Sequence, residues 1–288
     1  RPPRMLSFLL LSLLLAGLFA ALLVSLALNL SKARIELPHN APDKLADSTR
    51  ATRGGRPLAA LCGDSITHGV VSASYADMLA ARLPGWDFCN AGVNSELAYN
   101  LAARLDAVIA LDPEAVTVLI GTNDVNATFG LRSALGYFAL QKLPERPNLL
   151  FFRENLTLVV RRLKAETRAR VALLSMPPLG EDPRHYAWLR TEEYAAAVKD
   201  IARSEGVEYL PLRERIVAYL DAVPRKPAIP FERFGRAQNR AARERILFGK
   251  SFDEIGAANG FHLLVDGIHL NTHGASIVAD LVEGFLAK

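Results

Sequence analysis

The sequence predicts one α/β domain with a mostly parallel sheet, and three observations support that fold class. About 230 residues follow the N-terminal segment of this 288-residue chain, a length that suits one α/β domain better than two domains. The segment Ala115–Ile120 is continuously apolar, as expected of a central parallel strand that is covered on both faces. Three successive strands end in polar, glycine-containing turns, and ligands of open α/β sheets bind at such strand ends.

The first 31 residues are predicted to form a membrane anchor or a signal segment. No charge lies between Arg4 and Lys32, and the 23-residue run Leu6–Leu28 is almost wholly apolar. About 20 apolar residues suffice to cross a hydrocarbon core, whereas the apolar stretch of a signal peptide is usually ~7–15 residues long. We therefore favour one uncleaved transmembrane helix, with a cleaved signal peptide as the alternative.

The position of the folded part relative to the membrane is expected to be extracytoplasmic. Basic residues flank the apolar run on both sides, so their distribution does not decide the topology. Large domains that follow a first span often translocate regardless of flanking charge. The expected protein is thus a single-pass membrane protein, or a secreted one if the segment is cleaved. Residues 32–56 are polar and interrupted by proline and glycine, which predicts a linker before a domain over residues 57–288.

The elements of this domain are predicted in order from apolar periodicity and from helix and strand breakers. Strands are expected at Leu58–Cys62, Trp86–Cys89, Ala115–Ile120, Val171–Met176 and Val207–Leu210. Helices are expected at Ser74–Leu83, from Ser95 as N-cap to about Ala110, and at Leu149–Arg168, His185–Ser204 and Gly274–Leu286. Residues 126–148 are expected to be irregular, and loops of this length are often functional.

Two further features concern charge and cysteines. The net charge of +4 is too small to indicate nucleic-acid binding by itself, and no such partner is expected. The segment Arg225–Lys250 holds eight basic and two acidic residues with interleaved phenylalanines, which indicates a solvated helix or a surface for anionic lipid headgroups.

Cys62 and Cys89 fit neither a disulfide framework nor a metal site. Buried thiols are expected, with a bridge as the alternative if their strands are neighbours.

The turn Gly63–Gly69 places a serine directly after a strand. A serine on a sharp strand-to-helix turn can expose its hydroxyl and direct its own N–H at an oxyanion. Because the carboxyl ends of parallel strands meet at one edge of a sheet, Ser65, Gly92 and Asn123 are expected near one crevice.

A second pair of polar residues lies near the C terminus, where Asp266 and His269 share a turn. His269 can take the proton of a serine hydroxyl, and an aspartate three residues earlier can hold its imidazole in the required tautomer. His262 and His273 are nearby alternatives, and His273 is expected to cap or pack at the start of the last helix.

Four short motifs make the chain resemble the SGNH/GDSL hydrolase family of esterases and lipases. In order, they are Gly63-Asp64-Ser65, Asn90-Ala91-Gly92, Gly121-Thr122-Asn123-Asp124 and Asp266-Gly267-Ile268-His269. The resemblance implies a three-layer α/β/α sandwich with a five-stranded, mostly parallel sheet of flavodoxin-like type. Residues 126–148 and 223–262 exceed what a minimal member needs, and these insertions are expected to shape the substrate pocket.

The resemblance also implies a serine esterase that works through an acyl-enzyme. Ser65, His269 and Asp266 would form the catalytic triad, and the oxyanion hole would consist of the Ser65 N–H, the Gly92 N–H and the Asn123 side-chain amide. Asp64 and Asp124 are interpreted as structural residues that brace the turns. No metal or organic cofactor is expected.

The sequence does not determine the substrate class. Short acyl esters, lysophospholipids and acetylated glycans are the substrates considered, with the membrane as a partner through the N-terminal helix. The alternatives of another class are an envelope O-acyltransferase that uses the same serine and a non-catalytic binding module.

Overall fold

The computed structural model describes residues 36–47, 51–224 and 228–288. The transmembrane helix predicted over residues 1–31 lies outside these residues. In the part of the chain that is described, no helix combines the length and the apolar character needed to cross a bilayer. Leu37–Lys288 form one compact unit, which contains the whole of the sheet.

A five-stranded parallel sheet lies at the centre of this unit, which confirms the predicted fold class. Its strands are β1 (Leu58–Gly63), β2 (Asp87–Gly92), β3 (Ala115–Leu119), β4 (Arg170–Leu174) and β5 (Glu208–Leu210). Their spatial order is β2-β1-β3-β4-β5, and every pairing is parallel. All residues of β1 and β3 are buried, as expected for central strands with helices on both faces.

Helices cover both faces of the sheet. In chain order they are α1 (Ser65–His68), α2 (Tyr75–Arg82), α3 (Ala98–Ala103), α4 (Asp106–Ile109), α5 (Thr122–Asn126), α6 (Leu131–Leu140), α7 (Leu149–Glu166), α8 (Tyr186–Glu205), α9 (Leu212–Ala222), α10 (Phe234–Phe248), α11 (Phe252–Ala258) and α12 (Thr272–Leu286). Because the chain steps one way from β1 to β2 and the other way afterwards, right-handed crossovers put α2 on one face and α3, α7 and α8 on the other. Helices α9 and α12 pack on the same face of the sheet as α2.

Three helical predictions differ from the structure. The helix expected from Ser95 to about Ala110 is split into α3 and α4, and Leu97 rather than Ser95 occupies its N-cap position. Ser95 has a φ of 65°, a left-handed conformation that is outside the range of an N-cap residue. The segment 126–148, expected to be irregular, contains α6. Helix α9 was not predicted, although Leu212, Ile216 and Leu220 share its buried face at helical spacing.

Part of the predicted linker lies against the sheet. The Asn40 side-chain amide donates to the Phe88 carbonyl at 2.8 Å, and the Asn40 carbonyl accepts from the Asn90 N–H at 3.0 Å. Ala41 and Pro42 are buried. Residues 40–42 therefore cover part of the outer edge of β2, the edge strand at this end of the sheet.

The basic segment is mainly helix α10, and its aromatic residues do not form one exposed surface. Phe234 is only 5% exposed and belongs to the core, whereas Phe248 is 69% exposed. Phe231 stacks edge-on against Phe234, with ring centroids 5.2 Å apart. The interpretation of these phenylalanines as a joint lipid-facing surface is therefore wrong for Phe234, because its ring fills a gap inside the domain. Arg225 and Lys226 lie outside the described residues.

The two cysteines are buried free thiols, as predicted. Their strands are neighbours, but Cys62 is paired with Ala91 in the sheet register and Cys89 with Ala60. Burial raises the pKa of the Cys62 thiol to about 12. Both thiols are thus neutral, buried groups of the β1–β2 pair.

Candidate active site

Ser65 lies at the first position of α1, immediately after β1. Asp64 caps this helix, because its Oδ1 accepts the N–H of Ile66 at 3.0 Å. A Cβ at Gly63 would lie 2.1 Å from the Thr67 hydroxyl oxygen, so only glycine permits this close approach of strand and helix. The strand-to-helix turn thereby holds the Ser65 hydroxyl at the carboxyl edge of the sheet.

Ser65, His269 and Asp266 form a continuous chain of hydrogen bonds. The Ser65 Oγ and the His269 Nε2 are 3.0 Å apart, and the His269 Nδ1 lies 2.8 Å from Asp266 Oδ2. The other oxygen of Asp266 accepts the backbone N–H groups of Ile268 and His269, each at 3.0 Å. All three side chains are buried, with Asp266 only 2% exposed. The structure brings these sequence-predicted residues together.

The turn that carries Asp266 and His269 is attached to two other loops of the domain. The Ser72 hydroxyl donates to the Leu270 carbonyl and accepts the Leu270 N–H, both at 3.1 Å. The Gly180 N–H donates to the Gly267 carbonyl at 2.8 Å. Because Ser72 follows α1 and Gly180 follows β4, the C-terminal turn is held against the same sheet edge as Ser65.

The two alternative histidines lie in other surroundings. The His262 Nε2 is 3.0 Å from the Pro224 carbonyl oxygen. The His273 ring lies beside Tyr219, with ring centroids 5.8 Å apart, in the first turn of α12. His269 is therefore the histidine that contacts Ser65.

Asn123 stands in the first turn of α5, after β3, with its side chain in a polar network. Its Nδ2 donates to the Glu96 carbonyl at 3.0 Å and makes a longer contact of 3.4 Å to Asp64 Oδ2. Its Oδ1 accepts the Tyr137 hydroxyl proton at 2.8 Å. These contacts hold the amide in one orientation at the edge of the sheet.

The predicted role of Gly92 as an oxyanion donor does not fit this geometry. The Gly92 N–H donates to Asn90 Oδ1 at 3.0 Å, so it is already engaged inside the protein. The Asn90 Nδ2 in turn donates to the Thr67 carbonyl. A Cβ at Gly92 would lie 2.2 Å from the His68 backbone nitrogen. Gly92 is needed for the close packing of β2 against α1.

Ser95, which the sequence predicts as an N-cap, has a different backbone conformation in the structure. It lies in the turn after β2 with a φ of 65°. Its carbonyl accepts the Gln141 Nε2 at 2.8 Å, and no acceptor among the described residues hydrogen-bonds its N–H. A serine before a helix favours an N-cap, and only the positive φ shows that the backbone of Ser95 is not that of an N-cap residue.

Two buried aspartates brace the turns of the site, as expected. Asp124 accepts the Ala98 N–H at 3.2 Å, and Asp64 accepts the Ile66 N–H. Burial raises the pKa of both carboxyls from 3.8 to about 7. Within the described residues, no group of His, Cys, Asp or Glu side chains could hold a metal ion.

A cavity of about 320 Å³ lies next to the Asp266–His269 turn. Its wall includes Phe234, whose ring packs so tightly on Gly267 that a Cβ there would lie 2.4 Å away. Phe231 and Phe261 add further rings, and Glu181, Arg184 and His185 add polar groups. The cavity combines aromatic faces with charged side chains, and Phe234 is the wall residue that it shares with the Asp266–His269 turn.

Comparison with known proteins identifies similar sequences and structures. Residues 61–277, well over half of the chain, match the model of the GDSL-like lipase/acylhydrolase family. A search of curated proteins finds no match. Axe2, an acetylxylan esterase from Geobacillus stearothermophilus, is 17% identical with a TM-score of 0.58, over 81% of this chain and 94% of that chain.

Two other solved structures are similar to the same extent. The acetyl xylan esterase AlAXEase is 18% identical with a TM-score of 0.55, over 80% of this chain and 99% of that chain. A lipase/acylhydrolase from Enterococcus faecalis is 18% identical with a TM-score of 0.54, over 80% of this chain and 95% of that chain. At these identities the structural likeness concerns the fold.

Proposed function

The chain belongs to the GDSL-like lipase/acylhydrolase family and is an ester-bond hydrolase; from this premise we propose that it is a serine esterase that works through an acyl-enzyme. The observation that carries the proposal is the pair of contacts made by His269. Its Nε2 lies 3.0 Å from the Ser65 Oγ, and its Nδ1 lies 2.8 Å from Asp266 Oδ2. A nucleophile, a base and an orienting carboxylate in this arrangement are what acyl transfer requires.

The first half of the reaction forms the acyl-enzyme. The Ser65 Oγ attacks the ester carbonyl carbon while His269 Nε2 takes the hydroxyl proton. The tetrahedral intermediate collapses when the bond to the alcohol oxygen breaks, and His269 returns the proton to that oxygen. Asp266 accepts the Nδ1 proton of His269 in a hydrogen bond and stabilises the imidazolium that forms.

The second half uses water as the nucleophile. His269 takes one proton from the water as its oxygen attacks the acyl carbon on Ser65. Collapse of the second intermediate breaks the bond to Ser65 Oγ, which receives the proton back. The products are a free carboxylic acid and the regenerated enzyme.

We assign hydrogen bonding to the oxyanion to three donors: the Ser65 N–H, the Asn123 side-chain amide and the Ser95 N–H. The 3.4 Å contact between Asn123 Nδ2 and Asp64 Oδ2 is weak, and a developing oxyanion would replace it. Ser95 takes the place that Gly92 was expected to hold, because its left-handed backbone leaves the N–H without an internal acceptor among the described residues. One such donor is commonly worth ~3 kcal/mol of transition-state stabilisation.

We propose an acetylated glycan, or a similar short acyl ester of a polyhydroxy alcohol, as the substrate. The cavity beside the Asp266–His269 turn offers aromatic faces together with Glu181 and Arg184, which suits an alcohol part rich in hydroxyl groups. The similarity to two acetylxylan esterases points the same way. Lysophospholipids are the less favoured class, because Phe234 is buried instead of facing a lipid surface.

The test is turnover of a short-chain aryl ester and of an acetylated oligosaccharide by the Ser65→Ala variant. We expect the variant to lose turnover of both esters and to retain the circular dichroism spectrum of the wild type. Ser204→Ala, which changes a serine of α8, serves as the matched control. Undiminished turnover by the Ser65→Ala variant would remove Ser65 from the mechanism.

The acyltransferase alternative differs only in the molecule that attacks the acyl-enzyme. Product analysis with an acetylated donor and a saturating, unacetylated glycan acceptor separates the two activities. We expect release of free acetic acid in the presence of the acceptor. Acetyl transfer to the acceptor without release of acid would replace the hydrolase proposal.

We also propose that residues 1–31 anchor the enzyme in a membrane with the domain on the extracytoplasmic side. The support is the 23-residue apolar run Leu6–Leu28 in the sequence. Fractionation of cells that express the full chain, with protease added to intact spheroplasts, tests this. A soluble enzyme that is protected from the protease would contradict the proposal.

A further inference from the structure

Helix α6 is held to the domain in an unusual way for a helix of ten residues. None of its residues is buried, and Leu131, Leu135 and Leu140 are between 50% and 66% exposed. Most helices of globular proteins are stabilised by packing of an apolar face against the core. Hydrogen bonds therefore provide much of the attachment of α6 to the rest of the domain. Their partners include residues of the proposed oxyanion site.

The first of these contacts joins Tyr137 to Asn123. The Tyr137 hydroxyl donates to Asn123 Oδ1 at 2.8 Å and accepts from Asn126 Nδ2 at 3.0 Å. The Ser133 hydroxyl donates to the Asn126 carbonyl at 2.7 Å, which attaches α6 to the end of α5. The Tyr137 side chain is half-buried as a whole, but its hydroxyl is desolvated, which raises its pKa to about 12, so the hydroxyl keeps the proton that it donates.

The direction of this network follows from the partners of Asn123. Its Nδ2 faces two acceptors, the Glu96 carbonyl and the Asp64 carboxylate. If the amide were turned by 180°, its oxygen would face those acceptors and its nitrogen would face the Tyr137 hydroxyl. The observed orientation is thus the one that satisfies every group, and Tyr137 fixes it from the oxygen side.

Gln141, one helical turn after Tyr137, makes a second contact with this region. The Gln141 Nε2 donates to the Ser95 carbonyl at 2.8 Å, and the Gln141 carbonyl accepts from Asn100 Nδ2 at 3.2 Å. Residues four positions apart lie on the same side of a helix. Tyr137 and Gln141 therefore hold two neighbouring parts of the same site from one side of α6.

We propose that Tyr137 is a positioning residue of the ester hydrolysis, which acts by orienting and polarising the Asn123 amide. A carbonyl oxygen that accepts a hydrogen bond makes the N–H groups of the same amide stronger donors. A donor that is already oriented needs no rearrangement when the oxyanion forms. This inference rests on the proposed role of Asn123 as an oxyanion donor.

The experiment is a double-mutant cycle between Tyr137→Phe and Asn123→Ala, with kcat and KM measured separately on a short-chain aryl ester. Tyr137→Phe keeps the ring and removes the hydroxyl, and we expect kcat to fall on the order of tenfold, the effect of one lost hydrogen bond. KM should stay within about twofold, because the contact supports the transition state. Asn123→Ala should lower kcat on the order of 100-fold.

The decisive variant is the combination of both substitutions. If Tyr137 acts through Asn123, then Tyr137→Phe lowers kcat no further once Asn123 is alanine. Tyr219→Phe, whose ring lies beside His273, is the matched control and should keep the kcat of the wild type. Asn126→Ala, which leaves Tyr137 and Asn123 in place, should lower kcat about threefold by removing the bond to the Tyr137 hydroxyl.

The possible outcomes separate this inference from the proposed function. An equal loss of kcat from Tyr137→Phe in both backgrounds, or a rise in KM alone, would overturn the positioning role while Asn123 keeps its own. A normal kcat of Asn123→Ala would remove the oxyanion role of Asn123, and the positioning role of Tyr137 with it. Thermal unfolding of each variant identifies losses of kcat that come from misfolding. If Tyr137→Phe is misfolded, the kcat of Asn126→Ala tests the positioning role of Tyr137 instead.

Discussion

The His269 Nε2 lies 3.0 Å from the Ser65 hydroxyl oxygen, although 204 positions separate the two residues in the chain. β1 and its glycine turn place Ser65 at the carboxyl edge of the sheet. The Ser72 hydroxyl and the Gly180 N–H hold the C-terminal turn at the same edge. Contact between two residues so far apart in the chain depends on the packing of the whole domain. The proposed site therefore exists only in the folded protein.

Asp266→Asn should lower kcat on the order of 10³- to 10⁴-fold, as expected for loss of the orienting carboxylate. An amide at this position can present its NH₂ group to His269 Nδ1 and so favour the tautomer that cannot accept the Ser65 proton. Steady-state kinetics on the aryl ester measure the loss. Asp77→Asn changes an exposed aspartate of α2 and is the control. A loss of less than tenfold would exclude an orienting role for Asp266.

Gly92→Ala should lower the free energy of unfolding by about 1–3 kcal/mol, the usual cost of an overpacked site. The new Cβ would lie 2.2 Å from the His68 backbone nitrogen, so α1 must move away from β2. Urea unfolding followed by circular dichroism measures the change. Gly85→Ala is the control, since its Cβ would meet no atom within 4 Å. Unchanged stability would contradict the packing role assigned to Gly92.

Asp124→Asn should become more stable relative to the wild type as the pH rises from about 4 to about 7. Burial raises the pKa of Asp124 to about 7 from 3.8. The unfolded chain therefore loses this proton at a lower pH than the folded protein. The stability that the protonated, buried Asp124 contributes is complete below about pH 4 and is lost as the pH rises through 7.

The measurement for Asp124 is urea unfolding at a series of pH values. The asparagine oxygen can still accept the Ala98 N–H, so the two proteins should be most alike at low pH. Asp253→Asn, an exposed position, should follow the wild-type curve at every pH. A constant difference between Asp124→Asn and the wild type across this range would show that the carboxyl does not titrate as expected.

Cys62 and Cys89 should resist iodoacetamide in the native protein at pH 8 and react once urea unfolds the chain. Burial raises the pKa of the Cys62 thiol to about 12, so the reactive thiolate is scarce, and both side chains are inaccessible. Mass spectrometry of native and unfolded samples counts the labelled thiols. Rapid labelling of the native protein would mean that β1 and β2 open more readily than their burial indicates.

Local patterns in the sequence were sufficient for the five strands and for four residues of the proposed site. Ser65 and Asn123 stand directly after strands, where any parallel sheet collects polar side chains. Asp266 and His269 share one turn, so their mutual contact needs little beyond local geometry. Residues 137 and 141, in contrast, belong to a segment that looked irregular, because a helix without a buried face has no apolar stripe to detect.

The sequence by itself determined the α/β fold class and the candidate residues for the proposed acyl transfer, because apolar periodicity and short motifs are properties of neighbouring residues. Only the tertiary structure decided which backbone N–H groups are available. Gly92 and Ser95 are three positions apart, yet one N–H is engaged by Asn90 and the other has no internal acceptor among the described residues. That difference depends on φ angles and on partners from other parts of the chain, and no local pattern encodes either.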